Sequence, residues 1–220
     1  MTGDPDLGER LRALREDQIE LDDLYSLIHD FGEAHFISAE PDVARFLEHP
    51  DPQIRYVAVH VIAFDWGMLK YRGALEGMLV GDPDGFVRQI AASGLGHLLR
   101  ESRDARVIRL LLQTLRRDDE DGSVREAAYE ALLDVWLPSS KPLDKLEGMQ
   151  NRLAQTSRIV ERSLALSKEL GQAQLSGDSE KAFAISEELR ILGQAWEESW
   201  QEHVDWGAVA AIERGEVPEQ

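Results

Sequence analysis

The chain has no cysteine, few positive charges and no long apolar run. Without cysteine, it can form no disulfide, no thiolate zinc site and no cysteine nucleophile. Its 24 lysines and arginines face 42 aspartates and glutamates, which leaves a net charge of −18 over 220 residues. Since proteins bind nucleic acids mainly by neutralising phosphates with basic side chains, this balance argues against a nucleic-acid partner.

The lack of a long apolar run and of basic residues at the start of the chain also indicates where the protein acts. No apolar run approaches the 18 residues that a membrane span requires, and the acidic start lacks the basic region of a signal peptide. The sequence therefore predicts a cytoplasmic protein without membrane contact. Its 19 arginines against 5 lysines are typical of a bacterial source with a GC-rich genome. A hydrophobic fraction of 43% with 30% charged residues indicates a folded chain.

Acidic residues are concentrated at the beginning of the chain. The first 50 residues contain 13 acidic and 4 basic side chains, so half of the acid excess lies in the first quarter. An acidic excess keeps a protein soluble, and it also attracts basic protein surfaces.

Three segments of similar sequence occupy the middle of the chain: LEHPDPQIRYVAVHVIAFDW, LVGDPDGFVRQIAASGLGHLL and LRRDDEDGSVREAAYEALLDVW. Each has an apolar helix end, an acidic turn, and then an arginine followed by an alanine and an aliphatic residue. The equivalent residues are Arg55, Arg88 and Arg125, then Ala58, Ala91 and Ala128, then Ile62, Leu95 and Leu132. Spacings of three and seven residues place them along one helix stripe, where small alanines let neighbouring helices approach closely.

This pattern resembles HEAT repeats, specifically the short bacterial HEAT-like repeats also found in bilin lyases, over about residues 41–137. The resemblance implies an all-α solenoid of stacked helical hairpins. It also implies that the three arginines fasten the turns of their own or the adjacent repeat through aspartates and backbone carbonyls.

The remainder of the chain predicts two further parts. Residues 6–33 read as two helices that cap the solenoid, so that the first domain covers 1–138. After a Pro-Ser-Ser-Lys-Pro break, residues 139–206 read as a long antiparallel helical hairpin with a connector from Gly171 to Asp178, and residues 207–220 as a tail.

No catalytic or metal-binding motif is apparent. The histidines lack the spacing that places two imidazoles on one metal. Deoxyhypusine hydroxylases, which are HEAT-repeat enzymes, hold two irons with His-Glu pairs directly after the Val-Arg pair. The corresponding pairs here are Tyr56-Val57, Gln89-Ile90 and Glu126-Ala127, so those ligands are missing. The sequence predicts a non-catalytic protein without metal or cofactor, although the bilin-lyase resemblance leaves a lyase or isomerase as an alternative.

The second helix of each repeat offers a candidate binding surface. Positions one, five and nine residues after each arginine point away from the buried stripe and are expected on the concave side of a solenoid. These residues are Tyr56, His60 and Phe64, then Gln89, Ser93 and His97, then Glu126, Glu130 and Asp134. The surface thus changes from aromatic to acidic, which suits a partner with an apolar anchor and basic side chains.

The sequence favours a scaffold or adaptor that holds a basic protein partner on this surface. A first alternative is a bacterial immunity or antitoxin-like inhibitor whose acids cover a basic toxin. The lyase or isomerase is a second alternative. Homodimerisation through residues 142–206 is a further possibility for the long apolar stripes of the C-terminal helices.

Overall fold

The computed structural model describes residues 5–117, 120–137, 162, 165–166 and 168–216. Every regular element among them is a helix, so the all-α fold class is confirmed. The chain divides into two compact units, Met1–Leu137 and Pro138–Gln220.

The first unit contains eight α-helices in its described part, some joined or extended by short 3₁₀ or π segments. Their bounds are α1 Pro5–Arg15, α2 Leu21–Glu33, α3 Glu40–Arg45, α4 Pro52–His60, α5 Arg72–Gly81, α6 Gly85–Leu98, α7 Ala105–Leu115 and α8 Gly122–Trp136. The three repeats form the helical hairpins α3–α4, α5–α6 and α7–α8.

Aspartate begins four of these helices. Asp51, Asp84, Asp104 and Asp121 each accept hydrogen bonds from backbone N–H groups of the first turn that follows them. These N–H groups have no partner inside the helix, so an N-terminal aspartate stabilises each one by roughly 1 kcal/mol. The recurring aspartate therefore fixes the start of α4, of α6 and of both helices of the last hairpin.

Helices α2, α4, α6 and α8 lie side by side in one row. Behind them, α5 packs on α6, α7 packs on α8, and α5 contacts α7. The repeat alanines Ala58, Ala91 and Ala128 are fully buried between these helices. Their small side chains allow the close helix approach that the sequence pattern indicates.

Glycine makes the closest approach possible between α6 and α8. A Cβ atom placed on Gly96 would lie 2.7 Å from the Cα and 2.8 Å from the Cβ of Ala131. Any side chain at position 96 would therefore have to push the backbone of α8 away.

Helix α4 changes its geometry at its end. It continues into a π-helical segment, Val61–Asp65, in which Trp66 donates its backbone N–H to the carbonyl of Val61, five residues earlier. Gly67 then adopts a φ of +60°, which ends the helix. A π segment of this kind inserts an extra residue and rotates the side chains that follow it.

An ion pair links the second and third hairpins at the start of α7. Arg72 donates to Asp104 at 2.8 Å, and this hydrogen bond, together with those from the backbone of α7, lowers the pKa of Asp104. Because the folded pKa lies below the unfolded one, the ionised aspartate stabilises the fold at neutral pH. That contribution fades as the pH falls through the folded pKa.

We expect Asp104→Asn to lower the free energy of unfolding at pH 7 by about 0.5–1 kcal/mol, since the amide keeps the capping acceptor and loses the ion pair. At about pH 3 the difference from the wild-type protein should shrink, because the wild-type carboxylate is then losing its charge. Urea denaturation at the two pH values measures both differences. An equal difference at both would contradict the assigned role of the ion pair.

The second unit contains a helical segment over 168–176 and the helices α9 Ser179–His203 and α10 Trp206–Glu213. Leu166, Ala173 and Ile185 form a buried core between the segment and α9. The turn is tighter than the predicted connector, because the helix continues through Gly171 and only Gly177 and Asp178 separate it from α9. Most of the first half of the predicted hairpin lies outside the described residues.

The prediction of a tail over 207–220 is wrong for its first half. Helix α10 begins after Asp205, which accepts a hydrogen bond from the backbone of Ala208. Ala208, Val209, Ala211 and Ile212 are buried. The burial of this short apolar run stabilises the helix despite the glycine, proline and acidic residues that follow it.

Candidate functional site

The three repeat arginines lie inside the turns. Arg55 donates to both carboxylate oxygens of Asp82, at 2.8 and 2.7 Å, and to the carbonyls of His49 and Pro50. Its side chain is only 10% exposed and that of Asp82 only 6%. The guanidinium thus joins the turn of its own repeat to the turn of the next one, with its donors directed away from solvent.

The other two arginines make comparable contacts. Arg88 donates to Glu120 at 2.7 Å and to the carbonyl of Asp82, while Arg125 donates to the carbonyl of Leu115. These contacts connect turns and helix ends and leave little of the charge for a ligand. The arginines are therefore not a part of the candidate surface.

The nine residues of the candidate binding surface lie on three neighbouring helices. Tyr56, His60 and Phe64 are on α4 and its π segment, Gln89, Ser93 and His97 on α6, and Glu126, Glu130 and Asp134 on α8. His97 and Glu130 are exposed, and the other seven are half-buried. All nine retain contact with solvent on one row of helices.

Aromatic rings are in contact across the first part of this surface. The ring of Phe64 lies between the imidazoles of His60 and His97, with centroid distances of 5.3 and 5.1 Å. Burial and the neighbouring Tyr25 raise the pKa of the Tyr56 phenol. We call Tyr25, Tyr56, His60, Phe64 and His97 the aromatic row; it runs from α2 to α6.

Tyr25 is a member that the sequence did not indicate. It is 40% exposed and lies on α2, outside the three repeats, so no repeat position marks it. Only the packing of α2 beside α4 adds it to the surface.

Acidic side chains occupy the other part of the surface. Glu126, Glu130 and Asp134 lie at successive turns of α8, and we call them the acidic row. A guanidinium nitrogen of Arg100, on the chain just after α6, lies 3.6 Å from Asp134. Carboxylates at four-residue spacing repel one another, a repulsion that a basic partner would relieve.

A further carboxylate lies next to His60 of the aromatic row. Asp65, the last residue of the π segment, has Oδ2 at 3.5 Å from Nδ1 of His60. A Cβ atom on Gly32 would lie 2.2 Å from this oxygen, so Asp65 packs directly against the backbone of α2. Asp65 could not be predicted as a site residue, because α-helical spacing does not place it beside His60, whereas five residues close one turn of a π-helix.

One group of potential metal ligands occurs in the described part of the chain. The side chains of His29, Asp30 and Glu33 on α2 approach within 4.8 Å of one another. Asp30 already accepts a 2.6 Å hydrogen bond from Arg10, so much of its charge is neutralised by the protein itself. This cluster therefore gives no support for a metal site.

Comparisons with known proteins bear on the repeats. No curated protein and no solved structure shows a significant similarity to the chain. Within the residues that the structure describes, no helix combines the length and the apolar character that crossing a bilayer requires. The family model of HEAT repeats matches residues 39–133, which cover the three hairpins except for the last residues of α8. HEAT repeats generally serve as protein-interaction scaffolds and are typically non-enzymatic. Over residues 39–133, a little under half of its length, the chain is similar to HEAT repeats.

Proposed function

We propose that the protein is a non-catalytic binding protein that holds a basic protein partner against the exposed face of α4, α6 and α8. The observation that carries the proposal is the partial exposure of all nine predicted surface residues on neighbouring helices. Protein binding is the general role of HEAT repeats, and the nature of the partner is the added inference.

The two halves of the face suit different parts of a partner. The aromatic row offers large rings with polar edges, a type of side chain that is enriched where proteins bind tightly. The acidic row complements lysine and arginine, and the net charge of −18 increases the rate at which a basic partner approaches. A segment with an apolar anchor and several basic residues would contact both rows.

A selection from random peptides of about 12 residues, displayed on phage, tests this proposal. We expect the wild-type protein to enrich peptides that combine lysine or arginine with an apolar residue. Reversing the acidic row with Glu126→Lys, Glu130→Lys and Asp134→Lys should weaken the binding of these peptides by about tenfold or more. Fluorescence anisotropy measures the affinities.

A second triple variant provides the matched control. Glu9→Lys, Glu16→Lys and Glu48→Lys change exposed residues of the same unit, and both variants raise the net charge from −18 to −12. Unspecific attraction therefore falls equally in the two. If both lose affinity to the same extent, or if no basic peptide is enriched, the proposed function is wrong.

A further inference from the structure

Three buried polar atoms without a hydrogen-bond partner are concentrated at the end of α4. They are Nδ1 of His60, Oδ2 of Asp65 and Nε1 of Trp66, none of which makes a hydrogen bond within the described residues. Nδ1 of His60 and Oδ2 of Asp65 face each other at 3.5 Å. Buried polar groups are normally paired, because an unpaired one has lost its hydration without compensation. The same residues adjoin or belong to the π segment, a distortion that is frequent at functional sites.

Asp65 is the acidic member of this group, and solvent reaches part of its side chain. Its side chain is 23% exposed, although Oδ2 itself is buried against Gly32. The exposed fraction therefore belongs to the rest of the side chain. Such a carboxylate is held in place by the backbone of α2, and it can accept a hydrogen bond from a donor that approaches from the surface.

Aromatic rings lie close to Asp65. His60 is within reach of the carboxylate, and the ring of Phe64 lies tilted between those of His60 and His97 at the same end of α4. The faces and edges of such rings accommodate the methylene stem of lysine or arginine, and a cation gains further attraction from the ring electrons. A basic side chain fits this environment better than a neutral donor.

We propose that Asp65 receives one specific lysine or arginine side chain of the partner, which lies along the aromatic row and ends at the carboxylate. This inference rests on the proposed function and deepens it. It adds a contact between one defined carboxylate and one basic side chain to the general electrostatic attraction of the acidic row. The partner would accordingly need a basic residue at one defined position of its bound segment.

The tightest peptide from the selection is the probe for this anchor. Each arginine is replaced in turn by citrulline, and each lysine by norleucine, and the affinities are measured for the wild type and for Asp65→Asn. At one position we expect a loss of about tenfold with the wild type and of less than about twofold with Asp65→Asn, because the anchoring contact is already missing. Glu48→Gln removes one exposed charge of the same unit and should behave as the wild type.

A measurement on the unaltered protein supplements the variants. The peptide is prepared with a diazirine analogue of lysine at the sensitive position and is irradiated in complex with the wild type. We expect cross-links to residues 29–33 or 56–66, which surround Asp65. Cross-links confined to α8 would overturn the anchor, even where Asp65→Asn lowers the affinity through a loss of stability.

The outcomes separate this inference from the proposed function. Peptide binding that requires the acidic row, with equal losses in the wild type and in Asp65→Asn at every basic position, overturns the anchor and leaves the proposed function standing. The absence of any basic peptide among those enriched overturns both.

Discussion

Replacing Gly96 by alanine is expected to destabilise the first unit by about 2 kcal/mol. The new methyl group would lie 2.7 Å from the Cα of Ala131, so α6 and α8 must move apart along their contact. Such overpacking costs up to about 3 kcal/mol, and the better helix propensity of alanine offsets roughly 1 kcal/mol of it. The expected fall in the melting temperature is about 4–8 °C, measurable by circular dichroism.

Gly77 provides the matched control for this prediction. It lies on α5, is exposed, and has no atom within 4 Å of the position that a Cβ would occupy. Gly77→Ala is therefore expected to stabilise the protein by about 0.5–1 kcal/mol. Effects of the same sign in the two variants would show that the helix contact at Gly96 is looser than described.

Replacing Arg55 by methionine is expected to have the larger effect, a loss of about 3–5 kcal/mol in the free energy of unfolding. The change removes a guanidinium that contacts one carboxylate and two carbonyls. Asp82 would keep its negative charge in a largely buried position without its cation. Denaturation in urea measures the loss, and the midpoint should fall without a change in slope.

Two further variants distinguish this explanation from a simple loss of charge. Arg190→Met removes an arginine whose partner is Glu187, three residues away on the exposed side of α9, and is expected to leave the free energy of unfolding nearly unchanged. Adding Asp82→Asn to Arg55→Met removes the stranded charge and should recover more than about 1 kcal/mol. No recovery would mean that the loss arises from packing.

The sequence was sufficient to predict the all-α class and the repeats. Arginine, alanine and an aliphatic residue recur at fixed spacing, and a repeating contact requires a repeating residue. The buried Ala58, Ala91 and Ala128 and the aspartates that begin the helices are local features of this kind. They depend on neighbours that are close in sequence or at the same place in the next repeat.

The features that were missed depend on irregular geometry. Asp65 lies beside His60 because α4 ends in a π turn, and no pattern in the sequence predicts this turn. Tyr25 joins the aromatic row through the packing of α2, a helix without a repeat signature. Helix α10 forms because a run of small apolar residues is buried. The sequence did not indicate this burial, because the residues that follow the run are mostly polar.

The two contacts of Asp82 have a mechanical consequence. Its carboxylate binds Arg55 of the preceding repeat, and its carbonyl accepts from Arg88, which in turn holds Glu120 of the following repeat. The short turn that contains Asp82 therefore links three successive hairpins. A force that separates the hairpins is transmitted through this turn. Pulling the repeats apart would have to break these charged contacts at each junction in turn, so we expect stepwise resistance rather than smooth extension.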